Sequence, residues 1–137
     1  MADKPVPVPT PVTRPFWEGT KEGELRVQKC DACGKHIFYP RPGCPFCGAA
    51  DPSWVVATGR ARLESYVINH LPGPGFKDDV PYVIAIVTLE EGPRMMTNLV
   101  GVDPDPAKLT LDMPLEVVFE ERGDQVLPKF RPVEVKA

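Results

Sequence analysis

The chain has 137 residues, the size of one ordinary domain or of two very small domains that share a core. Proline accounts for 18 of them, so we expect short strands joined by many turns, with little helix. The formal net charge is −3, and residues 59–137 carry 9 basic against 13 acidic side chains. This balance argues against a surface that collects phosphates and hence against nucleic-acid partners.

Signals for a membrane or for export are missing from the sequence. No segment is long and apolar enough to span a bilayer, and residues 1–12 lack the apolar stretch of a secretory signal. We therefore expect a cytoplasmic protein, with no membrane partner, whose thiols stay reduced. Reduced thiols shift the interpretation of the four cysteines from disulfides to a metal.

Residues 1–24 are predicted to form a proline-rich arm followed by a short helix. Alternating prolines over residues 4–12 favour the polyproline II conformation, either as a disordered tail or as an arm that lies on a partner. Thr13 can cap a helix that has Pro15 in its first turn and Gly23 at its end.

Residues 25–54 contain two Cys-x-x-Cys-Gly motifs, with ten residues between Cys33 and Cys44. The motifs supply Cys30, Cys33, Cys44 and Cys47, and each glycine permits the tight turn that follows a zinc knuckle. Four thiolates form a closed tetrahedral site with no position for a catalytic water, which predicts one structural zinc ion. Iron fits the same geometry, and an iron–sulfur cluster or a redox dithiol is the alternative. His36 is interpreted as a loop residue rather than as a ligand.

Residues 55–137 are predicted to form a five-stranded barrel of the OB-fold type, so the whole chain is mainly β. In the first strand, Leu63, Ser65 and Val67 are expected on one face, with Tyr66 and Ile68 on the other. An irregular five-stranded sheet of another topology fits the periodicity nearly as well. The predicted strands cover residues 61–70, 82–89, 94–100, 114–121 and 126–130, with a capped turn over 103–107.

The segment between the first two strands, residues 70–81, is too long for a tight hairpin. It is interpreted either as a plain surface loop or as a contact loop for a ligand or partner, with Phe76 exposed between glycines.

The residue types of a catalytic site are scarce. Ser53 and Ser65 are the only serines, neither lies in a Gly-x-Ser-x-Gly elbow, and a metal would occupy every cysteine. His70 is the one histidine outside the cysteine module. The residues therefore favour a binding or scaffolding module.

Several short motifs, in order over about residues 13–133, resemble the DUF35 family of acyl-CoA-associated zinc-ribbon and OB-fold proteins. Two positions where the family often has glycine are Ala61 and Asp112, which concerns local turns only. Besides the cysteine motifs, the resemblance is carried by Pro15-Phe16-Trp17, Pro40-Arg41-Pro42, Trp54, Asp79-Val80-Pro81-Tyr82-Val83, Gly92-Pro93-Arg94, Asn98-Leu99-Val100-Gly101-Val102 and Phe130-Arg131-Pro132.

This resemblance implies a non-catalytic accessory subunit in a hetero-oligomer with a thiolase-like catalytic subunit. The partner would carry the catalytic residues, and the DUF35 chain would brace it and help to form its CoA or acyl pocket. Within the family the chain resembles the small subunit of benzoylsuccinyl-CoA thiolase, which implies thiolysis of an acyl-CoA in aromatic-compound degradation.

Assemblies with a retro-aldolase or a hydroxymethylglutaryl-CoA synthase are the alternatives within the family. A nucleic-acid-binding ribbon and OB-fold, and an autonomous redox protein, are the alternatives outside it. The expected contacts to CoA or to the partner are Phe76 and Lys77 in the 70–81 loop, followed by Arg94 and Asn98 on the third barrel strand.

Overall fold

The structure is a computed structural model that describes residues 6–73 and 75–133. A short helix, α1 (Arg14–Lys21), precedes a three-stranded ribbon and then a five-stranded closed barrel, which confirms the mainly β architecture predicted from the sequence. In the described part of the chain, no helix has the length and hydrophobicity that crossing a membrane requires. The ribbon strands are β1 (Arg26–Lys29), β2 (His36–Ile37) and β3 (Ser53–Val56), and the barrel strands are β4 (Arg60–Asn69), β5 (Tyr82–Leu89), β6 (Arg94–Leu99), β7 (Pro114–Arg122) and β8 (Gln125–Pro132).

The barrel has the strand order β4-β5-β6-β8-β7, and β4 closes it by pairing with β7. The neighbouring strands pair antiparallel except β6 and β8, which run parallel and share the register pair Leu99↔Phe130. This arrangement is the OB-fold, and not the alternative five-stranded sheet. A 3₁₀ turn, Pro106–Lys108, lies between β6 and β7, where Asp105 accepts the Ala107 N–H at 2.9 Å.

A β-bulge in β4 overturns the face assignment predicted for that strand. The register with β5 shifts between Leu63 and Ser65, so the alternation of side chains reverses there. Leu63 is fully buried, whereas Val67 is 59% exposed. Tyr66 and Ile68 instead pack against the core. A regular alternation in the sequence cannot reveal one extra residue, and this is why the prediction was wrong.

The helix α1 forms where it was predicted, but Thr13 does not cap it with its side chain. Thr13 has helical backbone angles, and its hydroxyl accepts the N–H of Thr10 at 2.8 Å. The hydroxyl therefore stabilises the turn that enters the helix. Phe16 is buried, and its ring lies 5.6 Å from that of Phe38, so the helix is anchored against the ribbon segment.

The seam between β6 and β8 is covered by the ribbon segment. The backbone N–H of Met96 donates to the Tyr39 hydroxyl at 3.3 Å. Across the seam, the Thr97 hydroxyl donates to the Pro128 carbonyl at 3.1 Å. The ribbon thus stabilises one side of the barrel where strand pairing is sparse, and the two parts pack through a common apolar core.

Two tight backbone positions explain local sequence choices. Gly59, just before β4, has φ +82°, and a Cβ there would lie 2.6 Å from Cγ1 of Val117. Only glycine meets both demands without strain. Asp112, where a glycine is frequent in the family that the motifs resemble, also adopts a left-handed conformation, with φ +67°. Aspartate tolerates that conformation better than most side chains do.

Candidate metal centre and contact surfaces

The four cysteines converge on one site between the two knuckle turns. Their sulfur atoms all lie within 4.8 Å of one another, with Cys30 Sγ 3.5 Å from Cys47 Sγ and Cys33 Sγ 3.7 Å from Cys44 Sγ. Tetrahedral zinc with Zn–S bonds of about 2.3 Å requires sulfurs about 3.8 Å apart. The donor set and its spacing therefore fit one zinc ion bound by four thiolates.

The backbone of each knuckle prepares its sulfurs for a cation. The Cys33 N–H donates to Cys30 Sγ and the Phe46 N–H donates to Cys44 Sγ, both at 3.4 Å. The turns then close through Gly34 and Gly48, which have φ +77° and +81°. The glycines thus provide the left-handed turn expected after each knuckle.

The thiols have very different proton affinities without a metal. The amide of Cys33 lowers the pKa of Cys30. Burial raises the pKa of Cys44, but the amides of Cys47 and Phe46 outweigh it and bring the pKa down to about 6. The amide of Ala49 lowers the pKa of Cys47, yet the neighbouring sulfurs and burial raise it to about 11. Adjacent thiolates repel each other, and a divalent cation removes that repulsion.

A fully thiolate-ligated ion leaves no coordination position for substrate, so such a zinc holds the two turns together and supplies no reaction chemistry. His36 lies in β2, and it does not belong to the metal-ligand cluster found among the described residues. Cys30 and Cys44 are buried beside Ile37 in a small core of their own. Cys30 and Cys44 thus serve both as metal ligands and as part of the ribbon core. Loss of the metal is therefore expected to disrupt the core, and disruption of the core to weaken metal binding.

Phe76 is half-buried, so the predicted exposure of this side chain is wrong. Its ring lies 5.6 Å from the ring of Tyr82 and 5.5 Å from the Arg122 guanidinium carbon. The Phe76 side chain therefore packs on the barrel instead of projecting from it. Lys77, the next residue, is exposed.

Phe76 and Asn98 line one pocket of about 200 Å³. Its wall includes Lys129, whose side chain is 10% exposed and whose Nζ lies 3.0 Å from a Glu120 oxygen. Burial opposes ionisation of Glu120, but the ammonium of Lys129 outweighs it and lowers the pKa of this carboxyl. The amide of Asn98 donates to the Val83 carbonyl at 2.9 Å, so part of its hydrogen-bonding capacity serves the barrel.

Arg94 is separated from the other three predicted contacts, since it begins β6 while Asn98 lies near the end of that strand. Its guanidinium lies 3.5 Å from Glu64 and is 69% exposed. It lines a cleft of about 820 Å³ between the ribbon and the β5–β6 turn, together with Lys35, Arg41 and Glu91. Sequence reasoning missed this cleft because its two walls are some 50 residues apart in the chain.

An apolar groove of about 320 Å³ follows the β6–β8 seam, and it was also missed. Its walls include Trp17 of the helix, Tyr39 of the ribbon and Met96 of the barrel. Three separate elements contribute these side chains, so no local motif marks the groove.

Two domain-family models together match residues 17–120 of the chain. Residues 17–53 match the rubredoxin-like zinc ribbon domain of ChsH2, and residues 54–120 match the C-terminal OB-fold domain of ChsH2. A DUF35 domain-containing scaffold protein of Methanothermobacter thermautotrophicus is 37% identical over 114 residues, which cover 79% of this chain and 86% of that protein.

A solved chain described as "Ltp2-ChsH2(DUF35) aldolase" has a TM-score of 0.81 and 37% identity, and the alignment covers 93% of this chain and 98% of that one. The probable enoyl-CoA hydratase alpha subunit of Thermomonospora curvata is 42% identical over 120 residues, and the 3-oxo-4,17-pregnadiene-20-carboxyl-CoA hydratase alpha subunit of Mycobacterium tuberculosis is 38% identical. This chain spans only 36% and 37% of the lengths of those two proteins. With its ribbon, its barrel and its near full-length relatives, the chain belongs to the DUF35 family of zinc-ribbon and OB-fold proteins.

Proposed function

We propose that the chain is a non-catalytic accessory subunit of a CoA-dependent thiolase-fold enzyme, which it braces and whose CoA or acyl pocket it helps to form. The main support for this proposal is that all four cysteines converge on one metal site, which leaves the chain without a thiol nucleophile. The near full-length likeness to a chain of an Ltp2-ChsH2 aldolase supports a role beside a catalytic subunit.

Neither of the two serines has a histidine base among the described residues. The Ser53 hydroxyl donates to an Asp31 carboxylate at 2.6 Å, and no hydrogen bond in the described part of the chain joins a serine or cysteine to a histidine. Ser65 lies exposed on the outer face of β4. The catalytic cysteine, histidine or tyrosine therefore belongs to the partner subunit.

The reaction we propose for the assembly is thiolytic cleavage of a carbon–carbon bond in an acyl-CoA, with 2-benzoylsuccinyl-CoA as the substrate in aromatic-compound degradation. The aldolase relative supports carbon–carbon cleavage as the class and makes retro-aldol cleavage the closest variant. A hydroxymethylglutaryl-CoA synthase assembly is the remaining variant within the family.

A second candidate is an accessory module of an acyl-CoA hydratase. It is favoured by the 42% identity to the probable enoyl-CoA hydratase alpha subunit. The chain spans about a third of that protein, so this candidate assigns the hydratase chemistry to residues other than these 137. Hydration of an enoyl-CoA by the assembled complex, without carbon–carbon cleavage, would establish it.

The 70–81 loop remains our candidate for the CoA contact. Lys77 is exposed beside the packed Phe76 ring, and its ammonium suits a CoA phosphate. Lys77→Ala should raise the KM for acyl-CoA of the complex about three- to tenfold, with zinc content unchanged. Leu71→Ala is the control in the same loop, at 81% exposure. A KM for Lys77→Ala equal to that of the control would remove this assignment.

Co-expression with a thiolase-like protein tests the proposed function. We expect a stable complex that copurifies through size exclusion with one zinc per DUF35 chain. Failure of the two proteins to associate, with the thiolase-like protein fully active alone, would refute the proposal. Association with a hydratase subunit instead would support the second candidate.

A further inference from the structure

The outer face of the β4-β5-β6 sheet presents apolar side chains in two adjacent cross-strand rows. Ser65, Ile86 and Met96 lie opposite one another in one row. Val67, Ile84 and Asn98 lie opposite one another in the next row. We call the Val67, Ile84, Ile86 and Met96 side chains the apolar band.

The apolar band is accessible at both of its edges. Val67 is 59% exposed and Met96 is 57% exposed, while Ile84 and Ile86 between them are half-buried. The bulge in β4 is what places Val67 on this face. A contiguous patch of aliphatic and thioether side chains on a solvent-facing sheet is typical of a protein interface.

OB-folds bind nucleic acids or sugars on the face that is formed by the second and third barrel strands, together with the loop between the first and second strands. The apolar band lies on this face. Single-stranded nucleic acid requires aromatic platforms and a basic track along such a face. Here the centre is aliphatic, and the ring of Tyr82, at one end, packs against Phe76. The chemistry of the band therefore fits a protein surface.

The rim of the band is basic on the side that faces the ribbon. Arg62 and Arg94 flank Thr88 in the next cross-strand row, and the ribbon–barrel cleft lies beside Arg94. This concentration of positive charge contrasts with the acidic balance of residues 59–137. The cations of the rim and cleft are Arg60, Arg62, Arg94, Lys35 and Arg41, against the carboxylates of Glu64, Glu90 and Glu91, of which Glu64 lies 3.5 Å from Arg94.

Met96 connects the band with the apolar groove on the β6–β8 seam. It lines that groove together with Tyr39, which is 52% exposed. Interfaces derive most of their affinity from a few side chains that fill such depressions near the centre of the contact. The groove thus offers a receptor for one apolar anchor of a docked protein.

From these features we infer that the apolar band is the surface through which this chain docks on its catalytic partner subunit. The inference rests on the proposed function. The partner's matching patch is apolar at its centre, with one anchor side chain for the groove, and acidic where it meets the Arg62 and Arg94 rim.

Paired charge substitutions test this inference with controls matched for exposure. Val67→Glu and Met96→Glu place a carboxylate in the band, whereas Val56→Glu and Leu111→Glu place it at sites that are both 57% exposed elsewhere on the chain. Zinc content and thermal unfolding establish that each variant is folded. Binding to the purified thiolase-like partner is measured by calorimetry, and the mass of each free variant by analytical ultracentrifugation.

We expect Val67→Glu and Met96→Glu each to raise the Kd for the partner at least about 30-fold, because a carboxylate would be buried in an apolar contact. The controls should stay within about threefold of wild type. Wild-type affinity in both band variants would overturn the inference while the proposed function stands. Loss of a homodimer in the band variants, with partner binding intact, would also overturn it, since the occupant would be a second copy. A wild-type chain that does not bind the partner would refute the proposed function itself, and the inference with it.

Discussion

Replacing Cys44 by serine should remove the metal and unfold the ribbon. Cys44 is 4% exposed, its sulfur accepts an amide hydrogen bond, and it lies 3.7 Å from Cys33 Sγ. A serine hydroxyl stays protonated at neutral pH and is a poor zinc ligand. The variant thus keeps three ligands in a site that was built for four.

The expected magnitude follows from the number of ligands. Binding of structural zinc releases about 10–16 kcal/mol, so one of four ligands accounts for about 2.5–4 kcal/mol. This corresponds to zinc affinity about 100- to 1,000-fold weaker in Cys44→Ser. Metal binding and folding are coupled in such modules, and the small core of Cys30, Cys44 and Ile37 offers little apolar area to replace it.

Competition with a chromophoric chelator measures the affinity, and Trp54 fluorescence, read in a Trp17→Phe background, follows the ribbon because Trp54 lies in β3. His36→Ala is the matched control in β2, and it should retain one zinc per chain. A Cys44→Ser protein that binds zinc as tightly as wild type would refute the four-ligand site. Zinc loss in His36→Ala would refute the exclusion of that imidazole.

Two further substitutions test the barrel by chemical denaturation. Glu120→Gln leaves the buried Lys129 ammonium without its carboxylate and should lower the free energy of unfolding by about 1–2 kcal/mol. The loss is kept modest because solvent screens Glu120, whose side chain is 40% exposed. Glu121→Gln, on the exposed neighbour, is the control and should cost under about 0.5 kcal/mol. Because the folded-state pKa of Glu120 is lowered, the stabilisation that its carboxylate provides is present above the unfolded pKa of about 4.3 and is lost as pH falls. Glu120→Gln should therefore flatten the acid side of the profile of stability against pH. An unchanged profile would contradict the ion pair. Gly59→Ala should lower the free energy of unfolding by about 2–4 kcal/mol, because left-handed backbone strain and a 2.6 Å contact of the new Cβ add. Gly23→Ala is the control and should cost about 1–2 kcal/mol, since Gly23 has φ +76° but nothing within 4 Å of its Cβ. Equal losses of stability in the two variants would show that the close contact relaxes freely.

Much of the fold was predictable because its signals are local. The spacing of the cysteines predicted their convergence, and the β-branched run over residues 82–89 predicted β5 with the bounds that it has in the structure. The sequence over residues 103–107 likewise predicted a capped turn between β6 and β7, and the structure has it at Pro106–Lys108 with Asp105 as the cap. Each of these features is determined by residues that are close in sequence.

The wrong or missing predictions concern features that distant residues determine. The bulge in β4 depends on pairing with β5, and it alone decides that Val67 is exposed. Phe76 is half-buried because its ring packs beside the Arg122 guanidinium of the barrel. No local pattern in the sequence indicates this contact. The ribbon–barrel cleft and the seam groove require the two parts of the chain to meet, so sequence periodicity could not indicate them.

Reconstitution of activity from separately purified subunits tests the central claim most directly. Acyl-CoA cleavage is measured for this chain alone, for the thiolase-like partner alone and for their mixture, each at matched zinc content. We predict no turnover by this chain alone and a clear gain in kcat/KM for the mixture over the partner alone. Turnover by this chain alone, or a partner whose activity the chain leaves unchanged, would contradict the account of a non-catalytic accessory subunit.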